Sequence, residues 1–279
     1  MKKSVLYVII AALVLGFLVS VSILLYPTVG SYINSLRQSR AVAQHFDDVE
    51  DMDDTEIQAI LENAREYNKT LFRKQNRYHF SDQDTAEYKK QLNSGRGVMG
   101  VVVIDKIDVR LPIYHGTSEG VLQIGAGHMP GSSLPVGGIG THAVITGHRG
   151  VPSSRLLTDL DKIAEGDVFV LQIFKETLTY QVDQILTVEP EQMEALVIDP
   201  DMDCCTLVTC TPYGVNTHRL LVRGHRIENA ADAGWEDIGS GTQRLNKTQM
   251  LLLLIVLALP ALMTYLFFRC RKIRKGGKK

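Results

Sequence analysis

Three residues at the ends of β-textured runs have the side chains that acyl transfer needs. Cys210 closes the run Thr206-Leu207-Val208-Thr209-Cys210, after which the chain turns at Pro212-Tyr213-Gly214. A thiolate at the open end of a strand is a nucleophile for a carbonyl, and a thioester divides one hard amide exchange into two easier steps. His148 closes another run, Val144-Ile145-Thr146-Gly147-His148-Arg149-Gly150, where the glycines allow close backbone approach and a tight exit. An imidazole titrates near neutrality and suits general acid–base work. Arg219 opens a run nine residues after Cys210 that would return antiparallel beside it, bringing a permanent cation towards the sulfur. Such a cation can hold a carbonyl and the oxyanion that develops on it.

Each residue also has an ordinary reading. A free cysteine at a strand end is more often a small buried hydrophobe than a nucleophile. His142, His218 and His225 lie in or beside the same runs, and Arg223 and Arg226 follow Arg219 along its own run. The other cysteines do not claim Cys210 for a disulfide. In an extended strand it lies roughly 17–20 Å from Cys204 and Cys205, beyond what a disulfide spans, and Cys270 sits in a basic tail. A papain-like arrangement is disfavoured because it would place the cysteine at a helix N-terminus.

Positioning these residues requires a sheet. From Val98 onward short Val, Ile, Leu and Thr runs recur: Val98 to Ile104, Ile107 to Ile113, His142 to Thr146, Val168 to Phe174, Leu178 to Val188, Cys205 to Cys210 and Arg219 to Ile227. Gly, Pro and Asp separate them, and this density implies a closed or nearly closed β-barrel over 97–228. Before it, Ile57, Ile60, Leu61, Ala64 and Leu71 mark an amphipathic helix that packs on the barrel, with Thr55 and Gln58 expected as a capping box. The acidic run from Asp47 to Glu56 reads as a solvated segment rather than a calcium site, and no metal or cofactor is called for.

Two apolar runs bracket this region. Residues 5–26 and 250–268 are uncharged and long enough as helices to cross hydrocarbon. Lys2 and Lys3 flank the first, and the second is followed by Arg269, Arg271, Lys272, Arg274, Lys275, Lys278 and Lys279. The positive-inside rule places 1–4 and 269–279 in the cytoplasm and everything between the spans outside the cell membrane. The first run is longer than a signal-peptide core and lacks an Ala-x-Ala cleavage site. Residues 27–96 form a helical region and 229–249 a polar linker. Basic residues are clustered in the tail rather than spread over a folded face, which argues against nucleic acid.

With these residues in view, the chain resembles the sortases, whose signature is a Thr-Leu-x-Thr-Cys strand with a histidine before it and an arginine after it. Its similarity to the class C, pilin-polymerising branch extends through Leu111-Pro112-Ile113-Tyr114-His115-Gly116-Thr117, Gly131-Ser132-Ser133-Leu134-Pro135 and Thr211-Pro212-Tyr213-Gly214-Val215-Asn216-Thr217-His218-Arg219. The resemblance implies an eight-stranded sortase barrel with an N-terminal helical segment and two flanking transmembrane helices. It implies Cys210, His148 and Arg219 as the catalytic set, with Thr209, Thr146 and Leu207 at the substrate. It further implies cleavage of a Leu-Pro-x-Thr-Gly sorting signal between Thr and Gly, with transfer of the acyl group to a pilin lysine.

The alternatives by the same resemblance are anchoring of surface proteins to peptidoglycan or lipid II, and a silent barrel that only binds sorting signals. The chain itself is not cargo, because no Leu-Pro-x-Thr-Gly motif precedes the second apolar run. Many class C sortases carry an Asp-Pro-aromatic lid over the cysteine, which this chain lacks. The segment from His79 to Gly95 offers only Phe80, Asp82, Asp84 and Tyr88 instead and is expected to be loose, or absent as a plug. The loop from Glu189 to Asp203 is expected, by the resemblance, to shape signal choice.

Overall fold

The computed structural model describes residues 3–74, 76–152 and 154–229. Helix α1 (Lys3–Glu50) runs without a break through Pro27. Its apolar N-terminal part is long and apolar enough to cross a membrane, and the side chains described there are largely exposed. Its C-terminal part packs on the barrel, where Val42 and Phe46 cover Val101 and Val103. The expected second span, residues 250–268, and the linker from 230 onward lie outside the described residues.

Helix α2 (Asp54–Phe72) buries Ile57, Leu61, Ala64, Asn68 and Leu71 along one face. Truncating a leucine buried as Leu61 is costs ~2–5 kcal/mol, against ~1 kcal/mol or less for a surface ion pair, so burial holds α2 in place. The expected capping box is replaced by a cap two residues earlier. Asp53 is the N-cap and accepts from the Thr55 N–H at 3.3 Å, because its carboxylate reaches the first free amides. The acidic run is solvated, as expected, with most of its carboxylates exposed, and two of them form surface ion pairs. Asp48 pairs with Arg96 and Asp54 with Lys175.

Helix α3 (Asp82–Lys90) starts at a reciprocal Ser81/Asp84 capping box. It carries Tyr88, 2% exposed, into the core, so the segment from His79 to Gly95 is not loose. The sequence reading missed this because its helix is short and exposes most of its surface.

Eight strands close the barrel: β1 (Val98–Ile104), β2 (Val109–His115), β3 (Ala126–His128), β4 (Thr141–Thr146), β5 (Val168–Ile173), β6 (Glu176–Val188), β7 (Asp203–Thr211) and β8 (His218–Ile227). Their order round the barrel is β1-β2-β3-β4-β7-β8-β6-β5. All of β1 is buried because the barrel interior takes one face and α1 covers part of the other. A short helix, α4 (Glu119–Ile124), precedes β3, and neither element was legible in the sequence. Three residues are too few for alternation to register, and β3 owes its form to parallel pairing with β2.

Two buried histidines tie the N-terminal region to the barrel. His128 accepts at Nδ1 from Tyr88 OH (2.9 Å) and donates from Nε2 to the Ser133 carbonyl (2.8 Å). His45 of α1 lies against the Phe174 ring and beside Ser94. Burial lowers each pKa from 6.5 to about 4. Between those values the unfolded chain binds protons that the folded one does not, so this stability is present above pH 6.5 and falls as pH drops towards 4. Unfolding free energies from urea titrations are expected to fall across that window with a slope approaching ~3 kcal/mol per pH unit for the two sites together.

Candidate active site

Two strand registers bring the site together. β4 and β7 run parallel, with Thr146 beside Val208, so the residues following β4 emerge next to the end of β7. Gly147 continues the ladder by donating to the Val208 carbonyl at 3.0 Å, and Thr209 Oγ1 donates back to the Gly147 carbonyl at 2.8 Å. These bonds fix the backbone immediately before His148. A Cβ on Gly147 would lie 2.7 Å from Leu157, so only glycine lets this turn pack as it does. β7 and β8 run antiparallel, and Cys210 stands directly opposite Arg219.

Cys210, His148 and Arg219 line one cavity of about 250 Å³. Its apolar wall includes Met129, Val188, Met193, Leu196, Val208 and Leu221, so an extended peptide would lose water there while its carbonyl faces the thiol. Cys210 is a free, partly exposed thiol. Cys204 and Cys205 are buried, which raises the Cys204 thiol to about 11 and Cys205 well above its ordinary value. Neither is disposed to form a thiolate. Nε2 of His148 donates to Glu119 Oε2 across 3.2 Å, from α4 on the cavity rim. Arg219 is held through Nη1 by the carbonyls of Asn216 (3.3 Å) and His218 (3.1 Å).

The competing residues are occupied elsewhere. His142 is bound at both ring nitrogens, to the Val197 carbonyl and Thr206. His218 faces Glu189, while Arg223 and His225 face Asp183. Arg149 pairs with Asp161, donates to Thr211 Oγ1 and lies over the Tyr213 ring.

The Sortase domain model matches residues 102–227, which contain all three candidates. A crystal structure of sortase C1 from Streptococcus agalactiae is 51% identical, with a TM-score of 0.67, covering 68% of this chain and 100% of that one. This chain belongs to the sortase family. A Streptococcus pneumoniae sortase C structure is 45% identical with a TM-score of 0.63, covering 69% of this chain and 98% of that one, and both likenesses support the class C branch. A curated Sortase A of Streptococcus agalactiae is 30% identical over 45% of this chain, which spans about half (51%) of that relative's length.

Within this sortase, the substrate residues expected from sequence divide. Thr146 and Thr209 line the cavity, although the Thr209 hydroxyl is committed to Gly147. Leu207 does not line it. Side chains alternate along β7, so Val208 shares the Cys210 face while Leu207 points into the barrel core, fully buried. Glu119 and the wall residues Met129 and Leu196 went unrecognised in the sequence, since they lie outside the strands that carry the motif.

No residue from 79 to 95 lines the cavity. The N-terminal region reaches it indirectly instead. Arg77 Nη2 (3.0 Å) and Tyr78 OH (3.4 Å) both donate to the Leu196 carbonyl, in the loop between β6 and β7, while Leu196 itself lines the cavity. Releasing this tether with Arg77→Ala and Tyr78→Phe is expected to raise KM for a signal peptide about tenfold and leave kcat nearly unchanged, the cost of about one hydrogen bond to a charged group. Steady-state kinetics check this, and an equal fall in kcat would assign the pair to the chemistry instead.

Proposed function

We propose that this sortase is a membrane-anchored cysteine transpeptidase that cleaves a Leu-Pro-x-Thr-Gly-type signal between Thr and Gly and passes the acyl group to a pilin lysine. The observation that carries the reading is the convergence of Cys210, His148 and Arg219 on one apolar-walled cavity. The Cys210 thiolate adds to the Thr carbonyl, whose oxygen takes up negative charge beside Arg219. Collapse of that adduct expels the glycine amine, which takes a proton from His148 and leaves a thioester. A neutral lysine amine then attacks the thioester and gives its excess proton to His148. An isopeptide bond forms and the Cys210 thiolate is regenerated. The apolar part of α1 supports attachment to the membrane.

The pilin acceptor rests on the likeness to class C structures, one of them titled for its pilin substrate specificity. Matches to proteins named Sortase A favour a second reading, in which a peptidoglycan amine is the acceptor. Offering a signal peptide with either a lysine-bearing pilin domain or a cell-wall branch peptide separates the two. Ligation to the lysine side chain is expected. Ligation to the branch peptide alone would replace the pilin reading, and failure to cleave the signal peptide with either acceptor would remove both.

A further inference from the structure

The β4–β7 ladder stops short of His148 and Cys210. Its last register pair is Thr146 beside Val208, and its last backbone bond among the described residues runs from the Gly147 N–H to the Val208 carbonyl. Beyond it the two strand ends are joined through side chains. Arg149, which follows His148, donates from Nη1 at 3.2 Å to Oγ1 of Thr211, which follows Cys210. Nη2 of the same guanidinium pairs with Asp161, and its Cζ lies 5.9 Å from the ring centroid of Tyr213 in the turn after β7. Gly150, at φ +75°, closes against that ring, where a Cβ would lie 3.3 Å from Tyr213 Cε2.

Asp161 is itself firmly placed. It sits in the turn Leu160–Lys162, and Leu160 is buried in the core with Leu156 and Leu157. The same segment grips both neighbours of Arg149. The Leu157 N–H donates to the His148 carbonyl at 3.2 Å, and the Gly150 N–H donates to Thr158 Oγ1 at 3.3 Å. Arg149 therefore links a fixed brace to the residue beside the thiol. Its side chain is only 8% exposed, and its Nε is buried with no acceptor among the described residues. Burying a guanidinium with one donor unpaired costs stability that an apolar side chain of similar volume would not, so what Arg149 supplies is placement. Neither Arg149 nor Thr211 lines the Cys210 cavity, so they reach a bound peptide only through their neighbours. We infer that Arg149 is a positioning residue of the proposed transpeptidation, an assignment that rests on that function. It holds His148 and Cys210 at a fixed separation, through Asp161 on one side and Thr211 on the other.

A displacement of about 1 Å in such a pair costs on the order of 10²-fold in rate. In the full-length protein in detergent micelles, Arg149→Met keeps the stem and removes the guanidinium. It is expected to lower kcat for signal-peptide transfer about 10- to 100-fold, with KM within about twofold of the parent. Thr211→Val should act in the same direction by less, because the Asp161 pair remains. Arg149→Lys is expected to recover only part of the loss, since an ammonium lacks the fork that holds two partners. In a His148→Ala background, Arg149→Met is expected to add less than about twofold, because the imidazole it positions is gone. Equal factors in both backgrounds overturn the inference in favour of a general structural role. Parent-like kcat in Arg149→Met also overturns it, as does a rise in KM alone, which would place the residue in peptide binding. If circular dichroism shows Arg149→Met unfolded, the same cycle with Thr211→Val decides the matter. A parent that neither cleaves nor transfers a signal peptide removes the proposed function and this inference together, whereas an active parent with an indifferent Arg149→Met removes this inference alone.

Discussion

Cys210→Ala is expected to abolish transpeptidation, with a fall of roughly 10⁴-fold or more, because no other group at the site can carry the acyl intermediate. The chain's two other described thiols cannot substitute. Cys204 and Cys205 are buried at the far end of β7, and burial holds both in the protonated form. The variant is expected to fold and to keep binding a signal peptide, since Cys210 is only partly buried and the wall residues are untouched. Turnover of a labelled signal peptide measures the first expectation and anisotropy of the same peptide the second.

His148→Ala should have the next largest effect, a loss of about 10²–10⁴-fold in kcat, the range for removing a positioned general acid and base. Two proton transfers depend on this one imidazole in the proposed cycle, departure of the glycine amine and arrival of the lysine amine. Both should slow, so neither step alone is rescued by a better acceptor. A discriminating readout is the addition of imidazole or a primary amine to the variant. Partial recovery with imidazole marks lost proton transfer, whereas unchanged kcat in His148→Ala would remove the residue from the mechanism. Gly147 and Thr209 set the ring's backbone, so the effect of Thr209→Val, which removes the bond to the Gly147 carbonyl, should be smaller and in the same direction.

Much of this arrangement was legible in the strand ends. Cys210 and Arg219 were expected to face each other because a nine-residue return through Pro212-Tyr213-Gly214 favours a hairpin, and the register pairs them directly. Seven of the eight strands announced themselves as Val, Ile and Leu runs, because a buried strand must be apolar. What stayed hidden was held by long-range contacts. β3 exists through pairing with β2, and α3 is held by Tyr88 reaching His128 forty residues away. The misplacement of Leu207 was avoidable. The period of two that defines β7 assigns Val208, not Leu207, to the face of Cys210.

Alternation could not show which of several arginines and histidines stands at the thiol. Arg219, Arg223 and Arg226 occupy one strand, yet the first lines the Cys210 cavity, the second pairs with Asp183 and the third lies at the distal pole. Barrel closure separates them, and it depends on partners from β6 and α2 that no local pattern encodes. The tether from Arg77 and Tyr78 to Leu196 belongs to the same class, being a contact across 119 and 118 residues of sequence.

The most direct test of the central claim is the intact mass of a fragment spanning residues 30 to 240 after incubation with Leu-Pro-x-Thr-Gly peptides, followed by peptide mapping. The account predicts a hydroxylamine-sensitive acyl adduct on Cys210, absent from Cys210→Ala. An adduct that persists in Cys210→Ala, or cleavage of the peptide by that variant at the parent rate, would contradict it.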